Sequence, residues 1–477
     1  MLSGVLVAGA LLAVAAGASA AEIGANDDSG KFDADAGAAQ YTQMAALGLH
    51  QVVIPVRFRP SEPVVIQDKP LLDETIPAAL TAGLKVVLAV YPYPTRELEA
   101  GLGSASLFGS YAAAVAEIYP QVKQFTIGNE PNQPAFWRPQ FGSGGQNVSA
   151  AAFGQYLATA YDALKAVDPA ITVVGVGLSP RGNDKPHATS NVSTSPIRFL
   201  RALGAWYRAS GRDRPLMDAF GFHPYPNRAT DPLDRGYSWP DAGFVNLDRI
   251  KQALWDAFEG TPQPSTLLGL KLDLDEVGWQ VGTAGRAGYT GAENVPVTDE
   301  PTQAQIYGEL IRRAACDPDV AEVSFFGFRD DGSRLGFQAG LARLDGSLRP
   351  AASAVAGAIT DTAAGCATPV PAWAPAQNVL GARIAVARRP TLQVEVQAGE
   401  DAHADVCVVR PGRVEGRGLA GISLTTCSAT LVAGLHTLFV PLQRPLGAPS
   451  VEVRVLLRAQ ANSLRRTQLV QEVLARG

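Results

Sequence analysis

The chain is poor in histidine, in cysteine and in charge. Five histidines and four cysteines occur in 477 residues, and no Cys-x-x-Cys is among them, so no metal centre is expected. Charged residues make up 18%, with 40 Lys plus Arg scattered among 45 Asp plus Glu for a formal net charge of -5. Without a basic stripe there is no electrostatic footprint for nucleic acid. Beyond the first 20 residues no apolar run approaches the ~20 residues a bilayer span needs, so no stable membrane insertion is expected. No Gly-x-Gly-x-x-Gly follows the first strand-like segment, which removes the main support for a dinucleotide fold. No organic cofactor is expected.

Apolar residues, by contrast, amount to 47%, enough for a large interior, and the length suggests about two to three domains. Residues 1–20 read as an export signal. Leu2 to Ala16 is almost wholly apolar, and Ala18-Ser19-Ala20 is a small-x-small cleavage site before Ala21. Export predicts a secreted or cell-surface protein, and the Ala-, Gly- and Arg-rich composition points to a bacterial source. An exported chain can oxidise its cysteines. Of the three pairings four cysteines allow, the sequential one, Cys316–Cys366 and Cys407–Cys427, keeps each bridge within or beside one domain.

From residue 21 to 364 strand-like runs alternate with Ala- and Leu-rich helical runs. Gln51 to Phe58 and Leu84 to Val90 are near-continuous β-branched stretches, and Ala150 to Val167 and Leu247 to Phe258 carry the helical period. Eight such pairs predict a parallel sheet covered on both faces and closed as a (β/α)8 TIM barrel. A linker marked by Pro369, Pro371 and Pro375 spans 365–378. From 379 to 477 the pattern changes to short period-2 runs separated by turn residues, predicting a small all-β sandwich.

In a barrel of this kind chemistry sits on the loops that follow the strands, and the strand ends here are polar or aromatic: Asn26-Asp27-Asp28, Arg57, Tyr91 and Tyr93, Asn129-Glu130, His223-Pro-Tyr225, Glu276 and Trp279, and Arg329-Asp330-Asp331. On strand four Thr126, Gly128 and Glu130 share one phase, which points Glu130 inward. On strand seven Leu272, Leu274 and Glu276 share a phase, leaving Asp273 and Asp275 on the other. Asp275 is either turned inward by a bulge or paired with a helix cation. Two inward carboxylates at one barrel mouth equip a site for glycosidic bond cleavage, one donating a proton to the leaving oxygen and the other attacking the anomeric carbon or activating water. Arg57 is the cation expected to keep one glutamate ionised, and His223 and Tyr225 are expected to bond the same carboxylates. Trp137, Trp239 and Trp279 are candidate platforms for sugar rings. Asp330, Asp331 and Glu293 read as surface or loop residues.

Together these motifs resemble the clan A glycoside hydrolases, the barrel enzymes that retain anomeric configuration, with a flavour of families 39 and 5. Gly128-Asn129-Glu130-Pro131 resembles the strand-four Asn-Glu pair, which implies an acid/base role for Glu130 and a sugar 2-hydroxyl contact for Asn129. Asp275-Glu276-Val-Gly-Trp279 resembles the strand-seven nucleophile motif. His223-Pro-Tyr225 resembles the strand-six His-x-Tyr, whose Tyr orients the nucleophile, and Arg57 resembles the strand-two Arg beside it. The resemblance implies an exported retaining glycosidase acting on a β-linked poly- or oligosaccharide. A transglycosidase and a non-catalytic carbohydrate-binding protein on the same scaffold are the alternatives. One departure bears on the substrate: where many members end strand eight in a Trp, this chain has Phe326, Phe328 and Arg329.

Overall fold

The computed structural model describes residues 21–366 and 370–375, and then seven strands between 381 and 474 without the segments that join them. The apolar leader 1–20 and parts of the expected linker lie outside the described residues.

Eight parallel strands close into a barrel in sequence order: β1 (Glu22–Asn26), β2 (Gln51–Phe58), β3 (Lys85–Pro92), β4 (Gln124–Ile127), β5 (Thr172–Leu178), β6 (Ala219–Phe222), β7 (Lys271–Val277) and β8 (Val320–Phe326). Closure is made by β1 pairing with β8, Gly24 opposite Ser324. The helices are α1 (Ala38–Ala46), α2 (Lys69–Thr81), α3 (Thr95–Glu99), α4 (Ala105–Ile118), α5 (Ser149–Val167), α6 (Pro196–Ser210), α7 (Leu247–Phe258), α8 (Glu300–Ala314) and α9 (Pro350–Thr362). In α7, Leu247, Ile250, Leu254 and Phe258 are buried, a spacing of three and four that lays one apolar stripe against the barrel.

Residues such as Val52, Ile54, Phe125, Ile127, Leu272 and Leu274 fill the layer between strands and helices. The barrel interior is more polar at its lower end. Gln51 Nε2 donates to Glu322 Oε2 at 3.0 Å, Gln124 Nε2 donates to Glu322 Oε1 at 3.0 Å, and Lys85 Nζ meets Glu322 Oε1 at 2.7 Å. These bonds satisfy groups that would otherwise be costly in a closed interior.

The chain leaves the barrel for two antiparallel sheets. Their strands are β9 (Gly381–Val386), β10 (Pro390–Ala398), β11 (Ala402–Arg410), β12 (Ile422–Leu431), β13 (Gly434–Pro441), β14 (Ser450–Ala459) and β15 (Arg466–Leu474). One sheet has the order β13-β10-β9 and the other β12-β11-β14-β15. Leu392, Val394 and Val396 from one sheet and Ala404, Val406 and Val408 from the other share a core. That period-2 alternation is the pattern a sandwich requires. The barrel and the small β domain therefore have the architecture expected from the sequence.

Cys316 and Cys366 form a disulfide. The second expected bridge is not formed. On neighbouring strands Cys407 stands opposite Thr426 and Cys427 opposite Val406. The one-residue offset puts the two sulfurs on opposite faces of the sheet, because successive side chains alternate.

Candidate active site

The long connections after β4, β6 and β7 rise on the same end of the barrel and surround a cleft of about 730 Å³, a size suited to a small ligand. Glu130 and Glu276 both line it.

Glu130 reaches the cleft through a sharp turn at the end of β4. Gly128 has φ +109, and an added Cβ would lie 2.6 Å from Phe153 Cζ of α5, so only glycine passes there. Glu130 itself has φ +41 and donates its N–H to the carbonyl of Gly177 at 2.8 Å. A non-glycine residue in the left-handed region stores about 1–3 kcal/mol of strain, held here by the β5 backbone.

Glu276 arrives by a different device. Leu274 pairs with Val323 and Val277 with Phe325, so β7 spends three steps where β8 spends two. That extra residue is a β-bulge. Below it Leu272 and Leu274 face the helices, while Asp273 sits near Gln124 in the barrel interior at 3.4 Å. The inward phase of strand seven is therefore the aspartate phase, opposite to the expectation, and the bulge lets Asp275 and Glu276 both reach the mouth. Among the described residues no helix cation pairs with Asp275. Its carboxylate faces the imidazole of His223, and Gly221 leaves room for it, since a Cβ there would lie 2.9 Å from Asp275 Oδ2.

His223, 1% exposed, ties the carboxylates together. Its Nδ1 lies 3.2 Å from Glu130 Oε1 and 3.4 Å from Glu276 Oε2, and its Nε2 lies 3.4 Å from Asp275 Oδ1. Only the Glu130 contact has full hydrogen-bond alignment; the other two are ion contacts. Burial disfavours the imidazolium, but Glu276, Asp275 and Glu130 outweigh it and raise the His223 pKa well above its ordinary value. The Tyr225 hydroxyl donates to Glu276 Oε2 at 3.0 Å, and burial and the two glutamates keep it protonated. Asn26 Nδ2 donates to Glu276 Oε1 at 3.2 Å. Burial pushes the Glu276 carboxyl up to about 7, against the nearby His223 charge and the Tyr225 bond, with Glu130 and Asp275 adding to the rise.

Glu130, His223 and Glu276 each offer one ligand atom within 4.8 Å of the others. His223 turns Nδ1 toward Glu130 and Glu276 and Nε2 toward Asp275, so each ring nitrogen faces carboxylate oxygen. The two glutamates thus present facing oxygens across one imidazole.

Asn129 lines the cleft beside Glu130. Arg57 also lines it, but its guanidinium is placed on the rim, with Nε 3.5 Å from the Tyr91 hydroxyl and the group 5.4 Å over the Tyr93 ring. It makes no ion pair with either glutamate. The positive group between them is His223.

The three tryptophans lie elsewhere. Trp137 is buried edge-on to Phe153 at 5.5 Å and Tyr156 at 5.0 Å, pinning its loop to the helices. Trp279, 2% exposed, donates its indole N–H to the Asp231 carbonyl at 2.9 Å. Trp239 lies between Arg198 of α6 and Arg454 of β14, each 5.8 Å from its ring. None of them lines the cleft. Its aromatic walls are Tyr91, Tyr93, Phe136, Tyr225, Phe326 and Phe337, with Phe326 and Phe337 edge to face at 5.1 Å. Phe326, the last residue of β8, is thus one of the walls of the cleft.

Sequence reasoning gave no role to Asn26 or to Phe136 and Phe337. Asn26 was visible as a polar strand end, but nothing local says that it reaches Glu276, 250 residues away. Asp330 is not a surface residue. Its carboxylate forms a two-bond fork with the fully buried Arg349, at 2.7 and 2.6 Å, and accepts from the Tyr289 hydroxyl at 2.7 Å.

A second cavity of about 430 Å³ opens beside α7 and reaches Leu456 of β14; the paired glutamates are not in it.

No family model matches the sequence, and no curated protein matches it either. Similar solved structures exist. One is a family 39 glycoside hydrolase from Bacteroides cellulosilyticus WH2, at 16% identity and TM-score 0.47, covering 89% of this chain and 81% of that one. Another is GH5_18 from Streptomyces cattleya in complex with GlcNAc, at 18% identity and TM-score 0.49, covering 74% of this chain and 83% of that one. A third is an exo-β-1,4-mannosidase from Opitutaceae bacterium strain TAV5, at 15% identity and TM-score 0.47, covering 73% and 61%. The solved structures similar to this chain include glycoside hydrolases of families 39 and 5, and at these identities the likeness is one of fold.

Proposed function

We propose that the protein is a retaining glycoside hydrolase, with Glu276 as nucleophile and Glu130 as acid/base, acting on a β-linked poly- or oligosaccharide. The observation that carries this reading is the carboxylate spacing. An oxygen of Glu130 lies within 4.8 Å of an oxygen of Glu276. This closest approach of single oxygens supports the ~5–5.5 Å carboxyl separation of retaining enzymes over the ~6.5–9.5 Å by which inverting ones admit a water.

The surrounding donors support the division of roles. Glu276 receives Asn26, Tyr225 and the His223 charge, while Glu130 receives His223 alone. Donors stabilise the ionised form, and the larger set on Glu276, set against the burial that raises its carboxyl to about 7, supports Glu276 as the nucleophile and Glu130 as the acid/base. Glu276 attacks the anomeric carbon as Glu130 protonates the departing oxygen. The glycosyl–Glu276 ester is then hydrolysed by water that gives its proton back to Glu130, restoring both groups. Asn129 stands at the cleft wall beside Glu130, the side on which a sugar hydroxyl is to be held.

A 2-deoxy-2-fluoro glycoside with a good leaving group tests the proposal. Peptide mass analysis is expected to find the label on Glu276, and Glu130→Ala is expected to cut turnover while azide restores it. A folded protein that takes no label from a panel of such glycosides, and turns none over, overturns it. We further propose that the chain works outside the cytoplasm, supported by the apolar leader and the Cys316–Cys366 bond. A mature amino terminus at Ala21 is the expected result of mass analysis of the exported protein, and retention of residues 1–20 counts against it.

A further inference from the structure

Most arginines described in the barrel are matched to carboxylates. Arg212 pairs with Asp162 at 2.7 Å, Arg343 with Glu300 at 2.7 Å and Arg349 with Asp330 at 2.6 Å. The cleft departs from this pattern. Arg57, Arg181 and Arg228 all line it, and among the described residues no carboxylate oxygen comes within 4.0 Å of any of their guanidinium nitrogens. Arg57 is steadied by the Tyr91 hydroxyl and the Tyr93 ring, through its Nε and its face, and among the described residues its two terminal amino groups have no hydrogen-bond acceptor. Arg181 spends one amino group on the carbonyl of Asn227 at 3.1 Å, bonds the Tyr237 hydroxyl and acts on the charge of Asp241 from beyond ion-pair distance. The fourth arginine of the cleft, Arg329, is paired with Asp33 at 3.0 Å.

The acids of the same walls are already engaged. Asp28 meets Lys31 at 2.9 Å, Asp27 Oδ2 accepts the N–H groups of Phe328 and Arg329 at 2.7 Å each, and Asp331 accepts that of Phe337 at 2.7 Å. The cleft therefore has acids that are each bonded elsewhere, and at Arg57 and Arg228 guanidinium groups that no carboxylate of the described residues pairs. A neutral sugar hydroxyl can accept a single N–H bond from such a fork but leaves its charge unmatched. A carboxylate or sulfate takes two parallel N–H bonds from one such fork.

We infer that the cleft accepts an acidic saccharide, its carboxylate or sulfate held by Arg57 with Arg181 and Arg228 on the facing walls. The inference rests on the glycosidase reading for which ligand enters, and on the arginines alone for its charge.

The test uses the full chain and pairs of saccharides alike except for the charged group: aryl uronides against the matching aryl glycosides, and oligosaccharides with and without a 6-sulfate. Binding and turnover are both measured, at low and high salt. The charged member of at least one pair is expected to bind about ten- to a hundredfold tighter, the range of one charge-assisted fork, with the advantage shrinking as salt rises. Preference within the uronide pairs identifies a carboxylate, and preference within the sulfated pairs a sulfate. In Arg57→Ala the acidic-to-neutral ratio is expected to fall about tenfold, with Arg57→Lys intermediate. Arg312→Ala, which removes an exposed cation paired with Asp361 on the outer helices, should leave the ratio unchanged. Turnover of neutral glycosides with no charged member preferred overturns the inference and spares the glycosidase reading. Tight binding of charged members without turnover of any glycoside, and without a label on Glu276, does the reverse.

Discussion

Tyr225→Phe separates the proposed nucleophile from its strongest neutral donor and changes little else. The ring keeps its contacts with Phe337 at 5.5 Å and Phe326 at 6.4 Å, while the hydroxyl that donates to Glu276 Oε2 at 3.0 Å is lost. A buried hydrogen bond to a charged group is worth ~1.5–3 kcal/mol, and one pKa unit corresponds to ~1.36 kcal/mol. Loss of the donor therefore raises the Glu276 pKa by about one to two units. Burial already holds that carboxyl at about 7. The sign follows from the role: a nucleophile must be ionised, so kcat/KM falls as pH drops through this pKa, and a higher pKa moves the acid limb upward. The native protein is expected to lose activity below about pH 7, and the variant below ~8–9. At neutral pH the ionised fraction then drops by about five- to fiftyfold. The measurement is a pH profile of kcat/KM with an aryl glycoside that is turned over. An acid limb that stays in place, with a rate within about twofold of the native one at neutral pH, would refute the assignment of Tyr225 and Glu276 as a functional pair.

Three further outcomes are expected. Asp275→Asn removes one of the charges that, together with Glu276 and against burial, raise the His223 pKa; its imidazolium should titrate lower, read from the ring proton by NMR, and an unmoved midpoint contradicts the ion contact at 3.4 Å. Asp330→Ala leaves Arg349 buried without its fork and should cost about 3–5 kcal/mol in urea unfolding; a loss below about 1 kcal/mol would show the pair to be solvated. Cys316 and Cys366 are 50 residues apart, so reduction should remove about 4 kcal/mol by the loop-entropy relation. Alkylation before reduction should find the thiols of Cys407 and Cys427 alone, and a protein with no reactive thiol would contradict the register of β11 and β12.

Local pattern was a good guide to the barrel. The strand Gln51–Phe58 and the helix Leu247–Phe258 have the bounds their residue periods predict, because apolar spacing reports directly on which face is buried. Reading failed where the backbone departs from the ideal. Alternation along strand seven assigned Leu272 and Leu274 to the interior, but the strand is flanked by helices, so its leucines face outward and its aspartates inward. Glu276 reaches the cleft because of a bulge, which a period-2 count cannot register. Tryptophan was misleading for a related reason. A large ring on a loop can be a wall or an anchor, and Trp137, Trp239 and Trp279 are anchors, each fixed by partners that lie far away in sequence.

The sequence by itself determined the alternation of strands and helices, the change to period-2 strands beyond the linker, and the two glutamates at strand ends. These depend on side-chain spacing and on residues near one another in the chain. Only the tertiary structure decided that His223 stands between Glu130 and Glu276, that Asn26 and Asp275 join them, that Arg57 faces the cleft and not the glutamates, and that Cys407 and Cys427 point to opposite faces of their sheet. Each of these depends on register and closure, which bring together residues up to 250 positions apart and are set by the packing of the whole barrel or sandwich and not by any single segment.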